Sequence, residues 1–267
     1  MLLALDVGNT NTVLGLFRLE GDVRTLVADW RVTTHRTQTV DEYGVLFLNL
    51  FSMHDLAASQ VSHIIISSVV PPVESTLRRM CEKYFHVEPL FVGPGIKTGM
   101  AVLVDNPAEL GADRLADSVA AYERYGGPCI VVDFGTATKF EAISERGEYL
   151  GGAIAPGLGI SADALFNRAA RLFRIDIQRP PKVIATNTIT HLQSGIYYGY
   201  IGLVDGILER MIAELGTPKA VIATGGMARM IAEDSRYITQ IDDMLTLEGL
   251  RILFERNRVA HVRPRTT

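Results

Sequence analysis

The sequence predicts an α/β protein made of two similar halves, and three observations carry that prediction. The chain opens on a short apolar run, Leu2–Leu5, that ends in Asp6-Val7-Gly8-Asn9-Thr10-Asn11-Thr12. It reopens in the same way at Ile130-Val131-Val132, followed by Asp133-Phe134-Gly135-Thr136-Ala137-Thr138. The two aspartates stand 127 positions apart in a chain of 267 residues, and each opening is followed first by strand-like stretches and then by helical periodicity.

In the first half, apolar residues resume at Val13–Phe17, and a further strand-like piece runs from about Val23 to Val32. Two or three strands joined by tight turns are expected here. The spacing over Val40–Phe51 predicts a helix. Val61–Val70 contains the buried-strand run Ile64-Ile65-Ile66 and is stopped by Pro71-Pro72. An amphipathic helix is expected over Val73–Phe85, and another over Arg114–Tyr125.

In the second half, strands are expected near Phe140–Ile143 and Tyr149–Ile154, with helices around Gly159–Leu172 and Leu192–Leu215. The strand Ala220–Ala223 leads into Thr224-Gly225-Gly226 and a short helix. The boundary is expected near Asp117–Tyr125, within or after a helix, which gives domains of residues 1–117 and 118–267. No Ser/Gly-rich linker or low-complexity tract marks it.

Composition narrows the function. The chain is 48% hydrophobic and 21% charged, as expected of an ordinary globular protein. A net charge of −4 argues against nucleic acid as a partner, because such grooves cluster Lys and Arg. The basic run Arg251–Arg265 is interleaved with Leu250, Ile252, Leu253 and Phe254, and reads as a terminal helix and a solvated tail. Cys81 and Cys129 form no CxxC, and the six histidines show no HxxxH or HExxH, so neither a disulfide framework nor a histidine-built zinc site is expected. The amino terminus lacks the pattern of a secretory signal, and no apolar run approaches the roughly 18–20 residues that span a bilayer. A cytoplasmic protein without a membrane partner is expected.

The chemistry sits in the turns. A loop of Gly, Asn and Thr can turn several backbone N–H groups inward and add hydroxyl and amide donors, which suits a phosphate. The strand-end carboxylate becomes useful when a Mg²⁺ ion stands between it and the phosphate. Gly-Asn is equally an ordinary hairpin signal. The second loop, Asp133–Thr138, and the strand-end element Ala223-Thr224-Gly225-Gly226 shift the balance toward a nucleotide, the paired glycines allowing close approach to adenine or ribose. Gly111-Ala112-Asp113-Arg114 opens a helix, where an acid is favourable through the helix dipole alone. Asp113 could also accept the proton of a hydroxyl attacking a γ-phosphate, with Arg114 offering a donor fork. Spacing alone does not choose. Gly93-Pro94-Gly95-Ile96-Lys97-Thr98 lacks the glycine a P-loop needs before its lysine, and Gly157-Leu158-Gly159-Ile160-Ser161-Ala162 lacks a βαβ setting for a dinucleotide fingerprint.

Taken together these motifs resemble the type III pantothenate kinases, a branch of the acetate kinase/sugar kinase/heat-shock ATPase/actin superfamily. The likeness runs through Asp6–Thr12, Gly111–Arg114, Asp133–Thr138, Gly151–Gly157, Asn187-Thr188 with Gln193-Ser194-Gly195, and Thr224-Gly225-Gly226. It implies duplicated actin- or ribonuclease H-like domains with an ATP cleft, and ATP-dependent phosphorylation of pantothenate in coenzyme A biosynthesis. It implies Asp113 as proton acceptor, with Gly111, Ala112, Asp113, Arg114 and Thr188 on pantothenate. Asp6, Val7, Gly8, Asn9, Thr10, Asn11, Thr12 and Thr136 would bind ATP, with Mg²⁺ reaching Asp6 through the phosphates. Asp133 would hold a monovalent cation, K⁺ or NH₄⁺, and the protein would be a homodimer. Four positions depart from the family pattern: Val104 for a common Tyr, Lys139 for Thr, Glu141 for Asp and Phe173 for Pro. Lys139 could add positive charge near the phosphates or point to solvent, and solvent is the expectation. Two other readings keep the fold: a kinase of another small hydroxyl or carboxyl acceptor, and a nucleotide-binding regulator without turnover.

Overall fold

The computed structural model describes residues 1–21, 23–169 and 172–258. The chain divides into two compact units. The first comprises Met1–Gly99, Asn106–Ala120 and the stretch from Leu245; the second comprises Met100–Asp105 and Ala121–Met244.

The sheet of the first unit uses β1 (Leu2–Val7), β2 (Asn11–Glu20), β3 (Val23–Thr33), β4 (His63–Ser68) and β5 (Leu90–Phe91), in the order β3-β2-β1-β4-β5. β1 runs antiparallel to β2 and parallel to β4. Leu2, Leu3, Ala4 and Leu5 are all fully buried, so both faces of β1 are covered. One face carries α1 (Val40–Ser52) and α2 (Pro71–Met80) over Leu3, Leu5, Leu14, Leu16, Ile64 and Ile66. α1 begins in a capping box, with Thr39 Oγ1 accepting from the Glu42 N–H and Glu42 Oε2 accepting from the Thr39 N–H. Pro71-Pro72 both ends the strand region and starts α2, where a missing N–H costs nothing.

α3 (Ala112–Tyr125) supplies its first turns to this unit, and α7 (Leu245–Asn257) packs there against β1, β2 and β4. Close approach needs glycine twice. A Cβ at Gly15 of β2 would stand 2.8 Å from Leu247 Cδ1, and one at Gly249 would stand 2.0 Å from the Ala116 carbonyl oxygen. The interleaved Leu250, Ile252, Leu253 and Phe254 are buried, so the expected terminal helix is a core element. The tail expected beyond it lies outside the described residues, apart from Arg258.

The second unit repeats the arrangement. β6 (Cys129–Phe134), β7 (Ala137–Ile143), β8 (Tyr149–Pro156), β9 (Ala220–Gly225) and β10 (Gln240–Ile241) are ordered β10-β9-β6-β7-β8. β6 is antiparallel to β7 and parallel to β9, as β1 is to β2 and β4. The helices are α4 (Leu158–Arg168), α5 (Thr188–Leu215) and α6 (Ala228–Ala232). α5 turns Tyr197, Tyr200, Ile201, Val204 and Leu208 onto Ile130, Val132, Phe134, Val221 and Ala223, the spacing of one helical face. Among the described residues no helix is long and apolar enough to cross a membrane. The same order and the same mixture of parallel and antiparallel neighbours in both sheets establish the duplication that the two Asp-containing turns suggested.

Candidate active site

In the first unit the Asp6–Thr12 loop is a tight hairpin. The Gly8 N–H donates to the Asn11 carbonyl at 3.0 Å, leaving Asn9 and Thr10 at an exposed tip. The hairpin that Gly8-Asn9 signals is present. Gly8 is tight, since a Cβ there would sit 3.1 Å from the Asn11 oxygen. Behind the tip, Thr12 is fully buried with its hydroxyl 2.9 Å from that of Thr34, and the Thr34 N–H donates to the Thr10 carbonyl at 2.9 Å. Arg36 Nη2 donates to Asn9 Oδ1 at 2.8 Å and so carries a guanidinium to the loop. Asp6, half-buried at the end of β1, lies directly opposite Val13 on β2 and Ser67 on β4.

The second loop has the same construction. The Gly135 N–H donates to the Ala137 carbonyl at 3.1 Å, and Thr136 lies at the tip beside it. Thr138, the counterpart of Thr12, is fully buried, and its hydroxyl is hydrogen-bonded to that of Tyr200 from α5. Burial raises the Tyr200 pKa, which keeps the phenol protonated. Gly157 closes the loop from below. Its N–H donates to the Thr136 carbonyl at 3.1 Å, and a Cβ would lie 2.3 Å from that same oxygen. This local packing, together with the antiparallel β7–β8 pair that precedes α4, explains the glycine without a dinucleotide.

At Asp133 one expectation needs correction. Lys139 does not point to solvent: its Nζ lies 2.6 Å from Asp133 Oδ2, and both side chains are only 16% exposed. The ladder sets this up, because Asp133 and Lys139 are direct partners across β6 and β7. The glycines after Thr224 also differ in role. Gly225 has φ +89°, and a Cβ there would meet Asp133 Oδ1 at 2.6 Å and the Phe134 oxygen at 2.7 Å. Its smallness serves the protein's own packing; a Cβ at Gly226 meets nothing within 4 Å.

Gly111-Ala112-Asp113-Arg114 opens α3 in the first unit. The Gly111 carbonyl accepts the Leu115 N–H at 3.1 Å, and Asp113 Oδ1 accepts the Arg114 backbone N–H at 2.8 Å. A Cβ at Gly111 would stand 2.6 Å from that same Oδ1, while its next neighbours lie at 3.8 Å. Glycine at 111 thus clears space for one oxygen in particular. In the second unit Thr188 is exposed on the first turn of α5, where the Asn187 side chain accepts from the Thr190 N–H at 3.0 Å. Val104 lies against Gly151 of β8. Glu141 is buried and accepts from the Tyr149 hydroxyl at 2.5 Å.

Arg36, Thr34 and Tyr200 were not singled out from sequence. Each reaches its loop from another segment, and only the repeated Thr at the start of the following strand hinted that a buried hydroxyl partner would be needed.

The family profile described as type III pantothenate kinase matches residues 2–210. A type III pantothenate kinase from Koribacter versatilis is 61% identical over 264 residues, covering 97% of this chain and 96% of its own. Among solved structures, a Campylobacter jejuni protein described as a putative Baf family transcriptional activator superposes with a TM-score of 0.59 at 19% identity, covering 96% of this chain and 99% of its own. A ROK family glucokinase from Streptomyces griseus, in complex with glucose and AMPPNP, gives 0.53 at 12% identity, with 94% and 98% covered. At such identities the last two speak for the fold alone, that of the duplicated actin- and sugar-kinase-like proteins.

Proposed function

Because this chain belongs to the type III pantothenate kinase family, we propose that its repeated loops hold ATP and that Asp113 takes the proton of the pantothenate hydroxyl as it attacks the γ-phosphorus. The reaction is ATP-dependent phosphorylation of pantothenate, the entry to coenzyme A biosynthesis. The observation that carries the reading is the repeated device: a central strand ending in a carboxylate, then a turn of Gly and Thr backed by a buried threonine. Backbone donors in such a turn stabilise phosphate oxygens without reorganising during the reaction.

Asp113 is suited to the base role by its support. One oxygen is fixed by the Arg114 N–H, which holds the carboxylate in one orientation on the first turn of α3. Arg114 presents a fork for an anionic group of the substrate, and Thr188 on the first turn of α5 is the second contact assigned to pantothenate. Val104 does not supply the hydroxyl that a Tyr would bring.

Magnesium fits the first loop. Among the described residues no group of three or more acidic, His or Cys side chains could hold an ion alone. A single carboxylate, Asp6, together with phosphates and water is the donor set Mg²⁺ prefers, and when bound the ion neutralises charge developing on the transferred phosphoryl. The monovalent cation does not fit at Asp133, where the Lys139 ammonium already stands. A homodimer completes the reading. It is supported by β8, an outer strand with Leu150 and Ile154 exposed beside a groove of about 470 Å³ lined by Ile207, Met211 and Leu215. The cytoplasm, where ATP is available, is the location assigned.

Coupled ADP release with and without pantothenate tests the activity; absence of pantothenate-dependent turnover would refute it. Asp113→Asn should lower kcat by about 10²–10⁴, the usual scale for a general base. A variant with near-normal kcat removes Asp113 from the mechanism. ADP release that depends on another acceptor, with the phosphoryl group found on that acceptor, would point to the alternative kinase.

A further inference from the structure

The two carboxylates at the strand ends are equivalent by topology but differ in what stands across the ladder. In the first sheet the residue directly opposite Asp6 is Val13, with Ser67 on the other side. In the second sheet the residue opposite Asp133 is Lys139, with Thr224 on the other side. The ladder thus delivers a cation to the second carboxylate.

We propose that Lys139 is a tethered monovalent cation: its ammonium occupies the place at Asp133 that a potassium or ammonium ion would take, so that this chain works without either. The inference rests on the kinase reading above and concerns the same site. Two observations support it. The Nζ–Oδ2 separation of 2.6 Å is that of a charge-assisted hydrogen bond, and a free cation on the same oxygen would meet the repulsion of the ammonium beside it. The other oxygen is confined as well, since Gly225 lies so close that a Cβ would be 2.6 Å from Oδ1.

The pair is fixed by backbone register and is mostly shielded from water, so it is pre-organised, whereas a dissolved ion must be captured from solution. Its charge is the same as that of K⁺. A lysine in this position supplies the electrostatic part of the ion's role permanently, and the protein exchanges a salt-dependent site for an internal ion pair.

The experiment compares wild type, Lys139→Thr and Lys139→Arg in choline, potassium and ammonium chloride at equal ionic strength, following both melting temperature and pantothenate-dependent ADP release. Wild type should show turnover in choline within about twofold of that in potassium, and no cation-specific change in Tm. Lys139→Thr should lose about tenfold or more in choline, recover in potassium or ammonium, and gain a few degrees in Tm when either ion is added. Lys139→Arg should stay independent of the ion. Wild-type turnover that appears only with potassium or ammonium would overturn the proposal, as would a folded Lys139→Thr whose Tm and turnover respond no more than wild type. If Lys139→Thr does not fold, the wild-type and Lys139→Arg comparisons still decide. Wild type that turns over in none of the salts refutes the kinase reading instead.

Discussion

Gly111→Ala is the most selective probe of the candidate base, because it touches one atom. The added Cβ would lie 2.6 Å from Asp113 Oδ1, and the next neighbours, Arg114 Cδ and Asp113 Cγ, are at 3.8 Å, an ordinary contact. Relief to a normal separation moves the carboxylate oxygen by roughly 0.7 Å, which strains or breaks its 2.8 Å bond from the Arg114 N–H. One such bond is worth about 1 kcal/mol, or about 2–4 °C in Tm for a chain of this size. The catalytic effect should be far larger. A displacement approaching 1 Å of a positioned group costs about 10²-fold, so kcat should fall by roughly 10–10² while Tm drops by no more than those few degrees. The assay is steady-state ADP release at saturating ATP and pantothenate, paired with a thermal melt. A kcat within about twofold of wild type in a folded variant would refute the assignment of Asp113, because the oxygen would have been moved without consequence.

Gly157→Ala should act on the nucleotide side. Its Cβ would meet the Thr136 and Gly135 carbonyls at 2.3 and 2.5 Å, so the second loop must shift; KM for ATP should rise about tenfold while KM for pantothenate stays within about twofold. The two cysteines give a prediction in pH. Burial pushes both thiols up to about 12 from 9.0. Their protonated forms therefore favour the folded state, with the full contribution present below pH 9 and lost as pH rises from there toward about 12, by about 1.4 kcal/mol per pH unit per thiol. Melts across this window should show a steeper alkaline loss for wild type than for Cys81→Ala/Cys129→Ala, and equal slopes would refute the linkage.

Much of the fold was legible because its signals are local. The runs Leu2–Leu5 and Ile130–Val132 have no polar residue to place on a wet face, so they could only be central strands. Thr39 with Glu42, and Pro71-Pro72, mark helix starts through groups they add or lack. β5 and β10 went unread because each has two residues, too few to show a period; their pairing with β4 and β9 is decided by the sheet they join. The return of α7 to the first unit was equally hidden, since its amphipathic face states that it packs but not on what. Among the candidate residues, sequence placed Asp6 and Asp133 at strand ends and Asp113 in the first turn of a helix, but favoured solvent for Lys139. A lysine on a strand is exposed by default, and here the register across a six-residue ladder overrides that default.

The register also gives a physical reason for the divergence of the halves. A duplicated loop brings a duplicated carboxylate, and a carboxylate near a phosphate is repulsive, by about 4 kcal/mol per pair of unit charges 4 Å apart at an effective dielectric of 20. Each copy therefore gains from a cation between the two. The first copy has Val13 across the ladder, a position that adds no charge; under the proposed function a divalent ion arriving with the nucleotide would balance Asp6 against the phosphates. The second has Lys139, an internal compensation that is present before any ligand binds. An ion that arrives with the nucleotide couples binding to charge balance at the reacting phosphate, whereas a tethered one does not. A loop that handled the transferred phosphate would therefore keep the first arrangement, and a loop that did not could adopt the second.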